Sequence, residues 1–257
     1  MDRNGSGESE SNRPPEWDLK EYEPLRAIVA SQIAELARKL VVVKRMEEVP
    51  RWEGRKKSGQ LNPATLYRAR IDTKLFRRKL PQLENIADHA FSLLVDTSGS
   101  MAEQGRMYNA KLSAIILAEV LGKLSIPYEL IGFDDTPTFL KKFEEPLTPK
   151  NKKLLAGMRA DNGTNLDRAC EATKIGRQAR KTKVVVIISD GGVSRYNWYE
   201  EKFAEWKKHN IKVLGIGINS GEEIAELCGE ENSKNINDPN ELPRVFIDLL
   251  TQILKQR

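Results

Sequence analysis

The sequence predicts an α/β fold: a mainly parallel central sheet with helices on both faces, one antiparallel edge strand, and a basic helical extension ahead of it. Three observations carry that prediction. Short apolar runs such as Phe91-Ser92-Leu93-Leu94-Val95 and Val184-Val185-Val186-Ile187-Ile188 alternate with helical patterns, which implies βαβ crossovers and a parallel sheet. Two helical stretches open on a cap followed by proline, Thr148-Pro149 and Asp238-Pro239. The strands near 128–133 and 137–142 are joined only through Asp134-Asp135-Thr136-Pro137, which is too short for a crossover and makes them a hairpin.

Taken in order, residues 1–20 are rich in Gly, Ser, Asn and acid and read as a flexible tail or linker remnant. Residues 21–85 form the basic extension. Leu25, Ile28, Val29, Ile33, Leu36, Leu40 and Val43 fall on one helical stripe. That stripe needs a surface to cover it, which places the extension against the following domain as one folded unit. Arg51 to Gln60 is polar and basic and reads as an exposed connection, and Asn62-Pro63 opens a short helix through Arg70. Residues 86–257 form the α/β domain. Strands are expected at about 91–96, 128–133, 137–142, 183–189, 211–217 and 234–237. Helices are expected near 107–124, 149–158, 166–179, 198–209, 221–229 and 239–256, the fifth opened by the capping box Ser220-Gly221-Glu222-Glu223. The last carries Leu242, Val245, Phe246, Leu249, Leu250, Ile253 and Leu254 on one side, a stripe for the sheet.

Three loops of this domain hold the chemistry. Asp96-Thr97-Ser98-Gly99-Ser100 follows the first apolar strand, Asp190-Gly191-Gly192 follows the run ending at Ser189, and Thr164 lies in Asp161-Asn162-Gly163-Thr164-Asn165. Two of these loops open at the carboxyl ends of buried parallel strands, where open α/β sheets bind ligands. Hydroxyl and carboxylate oxygens without imidazole or thiolate suit a hard divalent cation, Mg²⁺ or Mn²⁺. Neutral hydroxyls beside such an ion leave it electrophilic, so the site is a socket for one more anionic oxygen, from an Asp or Glu of a partner. Simpler readings exist for single residues: Ser100 with Glu103 fits a capping box, and Thr164 caps a helix starting near Leu166. Neither accounts for all three loops.

This constellation resembles the metal-ion-dependent adhesion site of von Willebrand factor A (VWA) domains, which have a Rossmann-like fold. The likeness spans roughly residues 88 to 257. It implies that Ser98 and Ser100 touch the metal, that Thr164 does so in the ligand-ready state, and that Asp96 and Asp190 act mostly through bound water. The lead-in, from Gly59-Gln60-Leu61-Asn62-Pro63 through Ile71-Asp72 to Phe76-Arg77-Arg78, looks like that of the cobaltochelatase VWA subunit (CobT type) and its relatives. In that family the A domain docks beside a MoxR-like AAA+ ATPase, so the resemblance implies a non-ATPase adaptor that grips a partner carboxylate.

Other chemistries fit less well. Ser98 stands where a haloacid-dehalogenase-type phosphatase needs its second Asp, and there is neither a P-loop nor a Gly-x-Ser-x-Gly elbow. The site reads as built to bind, with no catalytic residue. Cys170 and Cys228 lie in helical patterns and read as buried thiols of a cytoplasmic protein. The N-terminus lacks the apolar region of a secretory signal, and no stretch is long enough for a membrane span. Between Arg38 and Lys79 there are 14 Lys/Arg against 4 Asp/Glu, whereas from Phe91 onward the count is 24 against 23. The net charge of +5 therefore belongs to the extension. A solvated helical face explains such a stretch, and nucleic-acid contact is the alternative it leaves open. Beside the metal socket, Arg195 offers a bidentate donor and Tyr196 an amphipathic ring, so these two are expected to form an exposed rim that reads the partner.

Overall fold

The computed structural model describes residues 21–48, 52–71, 73–79, 88–180, 182–191, 196–219 and 223–255. The described residues begin with two helices, α1 (Tyr22–Ile28) and α2 (Ala30–Glu48), followed by three short strands, β1 (Trp52–Lys56), β2 (Gln60–Leu61) and β3 (Phe76–Lys79). The α/β part runs β4 (His89–Asp96), α3 (Arg106–Lys123), β5 (Tyr128–Phe133), β6 (Pro137–Lys141), α4 (Pro149–Ala156) and α5 (Leu166–Ala172). It continues with β7 (Thr182–Ser189), α6 (Tyr196–Lys208), β8 (Ile211–Ile218), α7 (Glu223–Cys228), β9 (Ser233–Ile236) and α8 (Leu242–Lys255).

The main sheet has six strands in the order β6-β5-β4-β7-β8-β9. All neighbours are parallel except β5 and β6, the expected hairpin at one edge. From β4 the chain moves outward to β5 and β6, then returns to place β7 on the other side of β4. The direction of winding thus reverses between β4 and β7, and ligands of open α/β sheets bind outside the carboxyl ends of such a strand pair. Side chains alternate across each strand. Phe91, Leu93, Val95, Val184, Val186 and Ile188 join one core with α3 and α8, while Ala90, Leu94, Val185 and Ile187 join another with α5, α6 and α7. Both faces of the sheet are therefore covered, as its near-continuous apolar strands require.

The extension contributes to the first core. Tyr22, Val29, Ile33, Leu36, Ala37 and Leu40 are buried there with residues of α3 and α8. A polar cluster accompanies them: the Tyr22 hydroxyl donates to Glu119 Oε1 at 2.9 Å, and Arg26 Nε and Lys152 Nζ lie 3.3 and 3.5 Å from the same oxygen. The stripe expected from Leu25 to Val43 is observed with one exception: Ile28 is 57% exposed, because at about 100° per residue it lies well off the buried line of Tyr22, Val29 and Leu36, which are spaced seven apart. The chain leaves helical geometry at Val29 (φ −101°, ψ 17°), and the buried line continues across that point. The side chain of Val43 lies outside the described residues.

Two further expectations are corrected. Residues 52–56, 60–61 and 76–79 form an antiparallel sheet of order β1-β3-β2, whereas the sequence suggests an exposed connection over 51–60 and a helical lead-in through Phe76-Arg77-Arg78. Its strands are short and polar, so no period-2 apolar pattern announces them. Within it, Asn62 caps a short 3₁₀ helix, Pro63–Arg68, accepting from the Ala64 N–H at 3.2 Å. The helix expected over 166–179 stops at Ala172. There the buried Glu129 carboxylate accepts the Lys174 N–H at 3.0 Å, while the Thr173 hydroxyl accepts the Ile175 N–H at 3.2 Å. These side chains capture the donors that another helical turn would use. The Ser220 capping box lies outside the described residues.

Candidate metal centre

Asp96 ends β4 and is fully buried. Its two oxygens tie the two strand-end loops together. Oδ1 accepts the Ser98 N–H at 2.8 Å, which shapes the turn, and Oδ2 accepts the Ser189 hydroxyl at 2.5 Å. Ser189 Oγ in turn accepts the Gly191 N–H at 3.0 Å. Burial pushes the Asp96 carboxyl above its ordinary range, the bonds from Ser189 and Ser98 pull it back, and the charge of Asp190 adds to the rise. Ser98 is buried, Ser100 is exposed, and their Oγ atoms lie 3.1 Å apart.

Asp190 starts the loop after β7. Its Oδ2 pairs with Arg106 Nη1 at 3.2 Å, and the same nitrogen reaches the Ser100 carbonyl at 3.4 Å. Its Oδ1 is buried with no hydrogen-bond partner among the described residues. A buried carboxylate oxygen left bare is costly unless something positive meets it. Gly191 allows the sharp exit of this loop: φ is +98°, and a Cβ there would sit 2.6 Å from Glu223 Cβ.

The third loop is docked on the first. The Asp161 N–H donates to the Thr97 carbonyl at 2.8 Å, and the Gly99 N–H donates to the Asn162 carbonyl at 3.0 Å. Asn162 is left-handed (φ 58°), and a Cβ on Gly163 would lie 2.6 Å from Asp135 Oδ1. Thr164 follows, half-buried, on a loop pinned to the Ser98–Ser100 turn. The position capping α5 is Asn165 and not Thr164, and it makes no side-chain capping bond. Ser100 does not cap α3 either; a kinked 3₁₀ segment, Gly99–Gly105, intervenes, with Gln104 and Gly105 left-handed.

Sequence reasoning missed Ser189 and Arg106. The first was signalled by a lone hydroxyl at the end of an apolar run, directly before Asp190. The second carries only a weak signal, a basic residue at the start of a helix, where the macrodipole disfavours it. The expected rim of Arg195 and Tyr196 falls on side chains outside the described residues. Tyr196 is already the first residue of α6, and Arg195 lies outside the described residues. Tyr199 is buried and packs against Trp198, edge to face at 5.1 Å.

The donor set fits a hard cation. Among the described residues no three His, Cys, Asp or Glu side chains converge as a metal-binding group. The site offers two carboxylates and several hydroxyls, which are oxygens suited to Mg²⁺ or Mn²⁺ in a partly hydrated shell. The sequence profile of the von Willebrand factor type A domain matches residues 92–246. The chain belongs to this family. No curated protein matches it in sequence.

Solved VWA-fold structures are similar to it at low identity. The manganese-loaded TRAP protein of Plasmodium vivax has a TM-score of 0.52 at 17% identity, covering 63% of this chain and 72% of that one. The vWF domain of the type V pili tip protein Mfa5 of Porphyromonas gingivalis gives 0.52 at 11%, covering 66% and 96%. Proximal thread matrix protein 1 of the mussel byssus, with a zinc-occupied MIDAS motif, gives 0.51 at 14%, covering 65% and 46%. The chain thus spans about half the length of the mussel protein. These likenesses show the VWA fold. Among the described residues no helix is long and apolar enough to cross a membrane.

Proposed function

We propose that this VWA protein is a metal-dependent binding module, a non-catalytic one, that grips a carboxylate of a protein partner. The observation that carries the reading is the meeting of the Asp96-Thr97-Ser98-Gly99-Ser100 loop with Asp190 at the winding reversal of the sheet, with Asp190 Oδ1 buried and bare. Asp96, Ser98, Ser100, Thr164 and Asp190 would hold Mg²⁺ or Mn²⁺. A bound divalent ion supplies an electrophilic point at which a partner's Asp or Glu oxygen completes the shell. The chain's own part is orientation: Asp96 locks both loops through Ser98 and Ser189, and the Thr97 and Gly99 backbone bonds keep the Thr164 loop in register. The manganese and zinc in two structures of the same fold support a divalent occupant.

The finer reading is a cytoplasmic, non-ATPase adaptor beside a MoxR-like AAA+ ATPase, as in cobaltochelatase-like pairs. Its support is the likeness of the lead-in between Gly59 and Arg78. In this reading Arg195 and Tyr196 form the rim that recognises residues beside the partner's acid. Titration calorimetry tests the core claim: Asp96→Ala should abolish Mn²⁺ binding while the circular dichroism spectrum is kept. Unchanged affinity in that variant would overturn the site. Partner association should in addition be lost in EDTA.

One observation favours a second reading, contact with nucleic acid. Arg55, Lys57, Arg68, Arg70 and Arg78 are exposed on and around the small β1-β3-β2 sheet, beside Tyr67 at 74% exposure. A steep fall of nucleic-acid affinity with salt would support it, and a binding signal absent at low salt would remove it.

A further inference from the structure

Arg106 stands at the first position of α3, an 18-residue helix, directly after left-handed Gln104 and Gly105. A cation there faces the positive end of the helix dipole, so local preference argues against it. What holds it is tertiary. Its Nη1 lies 3.2 Å from Asp190 Oδ2 and 3.4 Å from the Ser100 carbonyl oxygen, and its side chain is only 19% exposed against 6% for Asp190. The pair is therefore shielded from solvent, unlike surface ion pairs of little worth. The consequence is an asymmetric carboxylate. Oδ2 of Asp190 is committed to the guanidinium, whereas Oδ1 is buried without a partner among the described residues.

We propose that Arg106 is a positioning and charge-setting residue of the cation site: it fixes which oxygen of Asp190 faces the ion, and its charge keeps cation affinity below what the bare carboxylates would give. This rests on the metal reading above. The physical logic is direct. Asp96 and Asp190 together carry two negative charges into a buried site, and a fixed positive charge in contact with one of them cancels part of their pull on a cation. The ion is then held less tightly by the protein and keeps more of its appetite for an anionic oxygen from outside. Repulsion from the guanidinium and attraction to the incoming carboxylate act in the same sense. A socket that must capture and release a partner gains from that balance.

The test measures Mn²⁺ affinity by electron paramagnetic resonance of the free ion, in the full chain and three variants, with folding checked by circular dichroism. Arg106→Gln, which keeps a polar side chain without charge, should tighten Mn²⁺ binding, by about 5- to 150-fold if the coupling is of ordinary size. Arg106→Lys keeps the charge and should stay near wild type. Asp190→Asn should weaken binding. Affinity unchanged or reduced in Arg106→Gln overturns the inference while leaving the metal site intact. Equal tightening in Gln and Lys variants also overturns it, since packing and not charge would then be the cause. A wild-type chain that binds no Mn²⁺ removes the metal reading and this inference together.

Discussion

Leu36→Ala is the sharpest probe of how the extension and the VWA domain are joined. Leu36 lies on α2, is fully buried, and belongs to the same core as residues of α3 and α8. Truncating a leucine in such a place removes its transfer free energy and leaves a cavity, a loss of about 2 to 5 kcal/mol. For a chain of this size each kcal/mol moves the thermal midpoint by about 2 to 4 °C, so a loss near 3 kcal/mol should lower it by about 6 to 12 °C. The assay is a thermal melt followed by circular dichroism, with urea unfolding to supply the free energy. Ile28→Ala is the matched control. Ile28 shares the apolar pattern of the sequence but is 57% exposed, so its truncation should cost no more than about 0.5 kcal/mol. The reasoning is refuted if Leu36→Ala leaves the main transition in place, or if Ile28→Ala lowers it as much. The first result would mean that α2 does not unfold with the sheet, and the second that Ile28 is packed where the structure has it exposed.

Two other perturbations test particular contacts. Gly191→Ala places a Cβ 2.6 Å from Glu223 Cβ at a left-handed position, so it should destabilise the chain by more than about 1 kcal/mol and weaken Mn²⁺ binding, measured by melt and calorimetry; wild-type values for both would show that the loop exit is not so constrained. Burial lowers the Lys141 ammonium from 10.5 to about 8, so the folded state binds fewer protons than the unfolded one between those values. Wild-type stability relative to Lys141→Met should then rise as pH climbs from about 8 to about 10.4 and be at its lowest below that window, and urea titrations showing a flat difference would refute the assignment.

Much of this molecule was legible in its sequence because the deciding signals are local. A parallel strand buried on both faces must be apolar almost throughout, so Phe91–Val95 and Val184–Ile188 announce themselves, and a loop at the end of such a strand emerges at the sheet's ligand-binding edge. Thr148 and Asp238, each followed by proline, mark helix starts for equally local reasons, and both cap as expected. Where signals were weak or distant, reading along the chain went astray. The strands at 52–56 and 76–79 are polar, and only pairing between residues far apart in the chain, such as Trp52 with Lys79, makes them a sheet. The helix after Leu166 has the periodicity to continue, but Glu129 arrives from β5 and takes its next backbone donor. Ile28 and Leu36 are alike in composition, but Leu36 stands in line with buried Tyr22 and Val29 while Ile28 lies beside that line and is exposed.

The candidate site divides in the same way. The proposed donors Asp96, Ser98, Ser100 and Asp190 are suggested by their types at strand ends, and Thr164 by its turn and the likeness to the family's three-loop pattern. How those loops are held together does not. Ser189 reaches Asp96 across 93 positions, and Arg106 reaches Asp190 across 84. Such contacts depend on β4 and β7 lying side by side and on the direction in which α3 leaves Gly105. Electrostatic pairing acts through space over a few ångströms, whereas sequence pattern records only what neighbours along the chain prefer. The main-sheet strands and the proposed donors are thus legible along the chain; the tertiary fold decides the small polar sheet, the end of α5, which oxygen of Asp190 is bare and which charge stands beside it.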